Sequence, residues 1–262
     1  MKFGISTSYI EVDFFDELEK IASDFEVVEI ALEDTDLTKP SVDRIKSIIK
    51  KYDIKTCTHA PITDLNLCSP NDGIRSESIR QIKKSIDIAS DLGSNLLNIH
   101  FGRLPAFSAS FEEIESISKQ KREEYFALGI QSLASIAPYA LEKNIDLCIE
   151  NMPNVYTEFC AVYEDIDRVL NEVDVLFTLD VGHAHTIDAL HPKRLIDRFK
   201  EKLRHVHFHD NHGTWDEHLL LGTGTIQWSD IYKKLQQIHY SGYIILELPH
   251  KDALKSRNTF IK

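Results

Sequence analysis

Short β-rich runs alternate with longer stretches of helical spacing from one end of this 262-residue chain to the other. That unbroken order is the feature that most constrains the fold. The β-rich runs are Lys2 to Thr7, Val27 to Leu32, Lys55 to His59, Asn95 to Phe101, Asp146 to Glu150, Val175 to Asp180, His205 to His209 and Tyr243 to Glu247. Between them isoleucine and leucine recur at helical intervals amid Lys, Asp and Glu, as in Phe14 to Ser23, Ser41 to Tyr52 and Gly73 to Leu92, with Gly93 reading as a helix stop. The stretch Phe111 to Lys143 has room for two helices, or for one preceded by an extra turn, because Pro138 limits an uninterrupted helix. Eight such β/α units predict an α/β fold, a single closed (β/α)8 TIM barrel over residues 1–262, in preference to a doubly wound sheet. No linker or shift in composition divides the chain.

The barrel rule places active residues at the C-terminal ends of strands and in the loops that follow. Asp146-Leu-Cys-Ile-Glu150 puts Leu147 and Ile149 on one face and ends the other with Glu150. The sixth run ends in the same way with Asp180 and the eighth with Glu247, while the third, fourth and seventh carry His59, His100 and His207. Asp180-Val-Gly-His183 adds a second side chain three residues past a strand end, and Asp216-Glu-His218 offers two more, followed by Leu-Gly-Thr-Gly as a tight turn. Clustered carboxylates repel one another, and a divalent cation makes the same cluster favourable. Any one of these residues alone is ordinary; nine in register predict a metal centre. Histidine with Asp and Glu suits zinc, manganese, cobalt or iron, whereas calcium wants oxygen ligands throughout.

Other polar residues receive plainer expectations. His185, His209 and His212 read as supporting or solvent-facing, His191 and His239 as helix residues, and His205 as a hydrogen-bonded interior residue. Glu33 to Asp36 reads as a solvated loop, and Tyr156, Phe107 and Trp215 as pocket walls on weak grounds. With 42 acidic against 30 basic residues the net charge of −12 discourages non-specific attraction to nucleic acid or anionic membranes, without excluding a local basic patch. No apolar run approaches the roughly 18 residues of a membrane span, and MKFGISTSYIEVDFF lacks a signal-peptide pattern. The expected location is cytoplasmic, with no membrane partner. Cys57, Cys68, Cys148 and Cys160 are too widely spaced for a disulfide framework or a CxxC pair and predict buried free thiols.

The motifs THAP (His59), NIHFG (His100), CIENMP (Glu150), LDVGHAH (Asp180, His183), HVHFHDN (His207), DEHLLLGTG (Asp216, His218) and ILELP (Glu247) together resemble the xylose isomerase-like TIM-barrel superfamily. That superfamily includes sugar-phosphate isomerases and epimerases and endonuclease IV, the AP endonuclease family 2. The resemblance spans nearly the whole chain and implies a cofactor of one to three divalent metal ions (zinc, manganese, cobalt or magnesium). Its epimerase pattern implies one metal on Glu150, Asp180, His207 and Glu247, with His183 near the substrate and Glu150 and Glu247 exchanging protons through an enediolate. Its endonuclease IV pattern implies three metals: His59, His100 and Glu150 around one, Glu150, Asp180, His207 and Glu247 around the second, and His183, Asp216 and His218 around the third. The expected function is a metal-dependent isomerase or epimerase of a small sugar, polyol or sugar phosphate. The alternatives are a trinuclear zinc phosphodiesterase acting on abasic DNA and a non-catalytic metal- or ligand-binding barrel. Duplex DNA needs several cationic contacts, and the loops after the strands offer little beyond Arg103. Some ketose epimerases of this family carry an arginine shortly after the seventh-strand histidine, and Phe208 to Trp215 contains none. The short segment after Glu247 suggests that a partner, as in a homo-oligomer, completes the barrel's cover.

Overall fold

Alternate residues of each β-rich run face opposite ways, and in the computed structural model this parity produces two distinct cores. Residues 1–10, 13–33, 39–104 and 111–260 are described. The strands are β1 (Lys2–Ser6), β2 (Val27–Ala31), β3 (Lys55–His59), β4 (Leu96–Ile99), β5 (Asp146–Glu150), β6 (Leu176–Asp180), β7 (Leu203–Phe208) and β8 (Tyr243–Leu246). They pair in parallel in chain order and close, with Gly4 of β1 beside Ile245 of β8. The predicted TIM barrel is therefore present, and strand closure is completed within the chain. The connecting helices among the described residues are α1 (Phe14–Asp24), α2 (Lys39–Tyr52), α3 (Asp72–Leu92), α4 (Phe111–Glu142), α5 (Tyr163–Glu172), α6 (Val181–Ile187), α7 (His191–Phe199), α8 (Trp228–Gln237) and α9 (His250–Phe260). None of them is long and apolar enough to cross a membrane.

Outward strand residues such as Val28, Ile30, Leu97, Ile149, Phe177, Val206 and Ile244 pack against the helices in one large apolar layer. Inside the barrel a smaller cluster of Val27, Cys57, Leu96, Cys148 and Ile245 fills the N-terminal half. Gly4 belongs to this layer because a Cβ there would lie 2.7 Å from Ile245 Cδ1 and 2.8 Å from the Val27 carbonyl oxygen. Above the apolar plug the buried inward positions turn polar: Glu29, Asn98 and His205, then Glu150, Asp180 and His207. The four cysteines are free and buried, and burial lifts their thiols out of the reactive range.

Gly93 ends α3 as predicted, at φ 74, and donates to the Ala89 and Ser90 carbonyls. Three readings need correction. Phe111 to Lys143 is one helix running through Pro138, because Pro138 and Ala134, whose carbonyl loses its partner, both lie on the solvent side. β7 starts at Leu203 rather than His205. The register shifts beside Phe177 and Thr178 and leaves Arg204 outside to pair with Asp146, so the sequence alternation breaks where the strand does not. His239 follows α8 in a left-handed turn at φ 55, which lets the Tyr240 amide reach the Leu235 carbonyl.

Candidate functional site

Four adjacent strands end at one point. His207 Nδ1 lies 3.2 Å from Glu150 Oε1, 3.3 Å from Glu247 Oε1 and 3.8 Å from Asp180 Oδ2. All four residues are buried, with Glu247 the most exposed at 8%. From β3 and just beyond β4, His59 and His100 each place Nε2 3.4 Å from Glu150 Oε2. On the other side, Asp216 Oδ2 lies 3.1 Å from His183 Nε2 and 3.0 Å from His218 Nε2. The nine predicted residues thus surround one basin. It opens into a cavity of about 340 Å³ walled also by Ser8, Tyr9, Ala31, Glu33, Ile62, Met152 and Pro153.

The imidazoles are oriented by their far nitrogens. His59 Nδ1 donates to the Ala60 carbonyl and His183 Nδ1 to the Asn151 carbonyl, each at 2.8 Å, while His207 Nε2 donates to Glu29 at 3.2 Å. Those acceptors cannot donate in return. Each neutral ring therefore aims a bare lone pair at a carboxylate, an arrangement that is repulsive unless a cation or an added proton lies between. Without a metal, protons take that place. Burial disfavours the charged form of His59, yet its bond to Glu150 and the charges of Glu29 and Glu150 outweigh this and lift its pKa to about 9. Against the same burial, Asp180 and Asp216 raise His183, and Glu247, Glu29 and Glu150 raise His207. The donor set fits a divalent transition metal, and the buried Asp216 Oδ1 has no hydrogen-bond partner among the described residues. Glu150, Asp180, His207 and Glu247 would hold one ion, and the His59–His100–Glu150 and His183–His209–Asp216–His218 groups offer further places.

The two flanking glutamates differ in proton affinity. Burial, reinforced by the charges of Asp180 and Glu150, raises Glu247 above the ordinary carboxyl range. Burial acts the same way on Glu150, but His207 and the hydrogen bonds from His100, His207 and His59 override it and hold the group well below that range.

Several contacts that support the basin were not assigned from the sequence. Asp180 caps α6, a helix absent from the sequence reading, and accepts from the His183 amide at 2.6 Å, which turns the His183 ring toward Asp216. His209 is buried rather than solvent-facing: its Nε2 lies 3.1 Å from both Asp180 oxygens and 3.4 Å from Asp216 Oδ1. Gly182 makes room for it, because a Cβ there would meet the ring at 2.0 Å. Asn151 clamps Asp180 through both main-chain groups, donating to its carbonyl and accepting from its amide at 2.9 Å. Tyr9 meets His218 Nδ1 at 2.6 Å, and burial pushes its phenol pKa far up. The signal for Glu29 was a lone acid in the middle of an otherwise apolar strand.

Asp210, in the segment after β7, is completely buried and pins the Asp216–His218 loop. His205 is an interior residue on Glu29, as expected. His185 is buried on Thr225, whereas His212 stays exposed on Glu217. His191 opens α7 and is buried. Glu33 is not simply solvated: it lines the cavity and accepts from the Ile62 and Thr63 amides. Asp34 to Asp36 and Phe107 lie outside the described residues. Tyr156 and Trp215 are exposed and do not wall the cavity.

The family profile of the xylose isomerase-like TIM barrel matches residues 15–261. The chain belongs to that family. Within it, MJ1311 of Methanocaldococcus jannaschii, a protein named as uncharacterized, is 29% identical over 98% of this chain and 87% of its own length. A D-psicose 3-epimerase of Agrobacterium fabrum is 25% identical, over 94% of this chain and 84% of its own. A solved structure described as a D-tagatose 3-epimerase-like protein superposes with a TM-score of 0.88 at 28% identity, covering 99% of this chain and 95% of that one.

Proposed function

We propose that this xylose isomerase-like barrel is a divalent-metal-dependent epimerase or isomerase acting on a small uncharged sugar. The observation that carries the reading is the convergence of Glu150 and Glu247, from strands three apart in the barrel order, on either side of the point marked by His207 Nδ1. A metal bound by Glu150, Asp180, His207 and Glu247 would polarise the carbonyl and neighbouring hydroxyl of a ketose and so acidify the carbon-bound proton. The chain supplies the rest. One glutamate removes that proton and the other returns a proton to the opposite face, which inverts the centre; the first is left protonated and the second ionised, and proton exchange with water resets both before the next turnover. Tyr9, Ile62 and Met152 wall the cavity and limit water around the reacting carbons.

The charge around the cavity argues for an uncharged substrate. Its lining includes no Lys or Arg among the described residues, and the stretches 11–12, 34–38 and 105–110 contain none in sequence. Arg103 lines an adjoining cavity of about 350 Å³ that shares Ile62, His100 and Met152 with the first, and there it stands beside Glu158. A phosphate monoester would meet carboxylates with little cationic relief beyond the metal. The phosphodiesterase reading keeps one specific support, the second and third donor groups flanking the first, and the same charge distribution weighs against a polyanionic duplex.

The test is proton exchange. Metal-loaded protein incubated with ketohexoses in D2O should place deuterium at the inverting carbon, followed by NMR. Chelation should abolish the exchange and manganese or cobalt restore it. Undiminished exchange by metal-stripped protein would refute the metal requirement; hydrolysis of an abasic-site oligonucleotide, with no exchange on any ketose, would transfer the assignment to phosphodiester chemistry.

A further inference from the structure

The barrel interior holds one carboxylate that the reaction above does not use. Glu29 stands at the centre of β2 and is completely buried. Its Oε2 lies 2.7 Å from His205 Nε2 and 3.2 Å from His207 Nε2, so one oxygen receives two imidazole N–H groups. Oε1 has no hydrogen-bond partner among the described residues. Cys57 Sγ lies 4.0 Å from Oε2. His205 faces Glu29 with Nε2, its Nδ1 is unpartnered, and its ring stands edge-on to that of His207, with centroids 4.9 Å apart. Neither Glu29 nor His205 lines the cavity.

We infer that Glu29 is a positioning residue for the metal centre: it holds His207 as the Nε2–H tautomer and fixes the ring rotation that turns Nδ1 toward Glu150, Asp180 and Glu247. A histidine offers a metal only the nitrogen that carries no proton, and the hydrogen bond made by the other nitrogen decides which one that is. An ionised carboxylate can only accept, so it selects Nε2–H and leaves the Nδ1 lone pair facing the three carboxylates. His205 spends its single N–H on the same oxygen and holds the Glu29 side chain against rotation. The arrangement joins β2 to a centre whose other members come from β5 to β8. The inference rests on the metal reading above, and its test separates the two.

Glu29→Gln preserves shape but introduces an amide NH2. Its one oxygen can still accept from His207 Nε2 but carries no charge, and its NH2, when turned to that nitrogen, selects the opposite tautomer with Nδ1 protonated; both arrangements weaken the hold on the Nε2–H form. The measurement is the dissociation constant for Zn2+ and for Mn2+ of metal-stripped protein, by competition with a chromophoric chelator, beside the melting temperature of the metal-free form. The expected loss is roughly 10- to 100-fold in affinity. In a His207→Gln background the same change should alter affinity by less than about twofold, because its effect passes through His207. Unchanged affinity in Glu29→Gln, or an equal loss in the His207→Gln background, overturns the positioning role. Wild-type protein that binds neither ion overturns the metal reading itself. Should Glu29→Gln fail to fold, the imidazole ¹⁵N spectrum of zinc-loaded wild-type protein decides: a proton on His207 Nε2 supports the inference, and one on Nδ1 refutes it.

Discussion

Replacing Asp210 by alanine tests whether one buried carboxylate holds the loop that brings Asp216 and His218 to the basin. Its Oδ1 accepts from the Asn211 amide at 2.9 Å and the Ile226 amide at 3.3 Å, and its Oδ2 from the Gly222 amide at 2.8 Å and Trp228 Nε1 at 3.0 Å. Asp210→Ala strands these four donors. A buried donor left unsatisfied costs about 1–3 kcal/mol. Water entering the vacated volume recovers part of that, and such losses do not add, so the expected cost is about 3–5 kcal/mol, the range for removing one partner from a buried charged network. At roughly 2–4 °C per kcal/mol for a chain of this size, the melting temperature should fall by roughly 6–20 °C. Circular dichroism reads the whole fold, and the fluorescence of the two tryptophans, Trp215 on the loop and Trp228 on α8, reads the affected region. Affinity for zinc should fall in parallel as the loop loses its anchor. The control is Asp230→Ala, which breaks an exposed pair with Lys193 and should leave the melting temperature nearly unchanged. A shift for Asp210→Ala no larger than the control, with unchanged zinc affinity, would refute the anchoring argument.

Further outcomes follow from other parts of the molecule. Gly182→Ala forces a methyl onto the His209 ring and should cost about 1–3 kcal/mol as overpacking, visible as a lower melting temperature; no change would mean that the ring moves freely. Phe101, fully buried against Phe126 at 4.9 Å and Phe159 at 6.1 Å, should lose about 3–5 kcal/mol on replacement by alanine, measured by denaturant unfolding. Chelation should lower the melting temperature, since an ion held at a hundred times its dissociation constant contributes about 2.7 kcal/mol; a melting curve indifferent to chelator would contradict the metal centre. Burial lowers the pKa of His191, with the Ala161 backbone bond opposing. The unfolded chain therefore binds the extra proton first, and the stability from neutral His191 is complete above about 6.5 and drains away as pH falls toward the folded value. His191→Gln should flatten the fall in melting temperature between roughly pH 6.5 and 5; an unaltered slope would discount His191.

The parity of short strands made much of the site legible. Asp146 to Glu150 announces both its outward apolar face and its terminal carboxylate, and the same pattern in β6 and β8 located Asp180 and Glu247 before any geometry. Residues whose role depends on a neighbour across the barrel were not legible in that way. Glu29 shows only as an acid inside an apolar run, and its meaning comes from the register that places it beside Cys57 and within reach of His205 and His207. His209 read as either supporting or solvent-facing, and the choice was open because its burial depends on the absent side chain of Gly182. Asp210 looks in sequence like any loop carboxylate and is buried because the chain folds back over it at Gly222 and Trp228. Such contacts between distant segments leave no period in the sequence.

The four donors that meet at His207 Nδ1 belong to β5, β6, β7 and β8, while the residue behind it belongs to β2. No fragment that lacks the eighth strand contains Glu247, and none that lacks the second contains Glu29. A chain emerging from the ribosome therefore passes most of its synthesis without a finished chelate and acquires one only when its last strand docks beside the first. On the metal reading, an ion held by these four residues would report completed assembly.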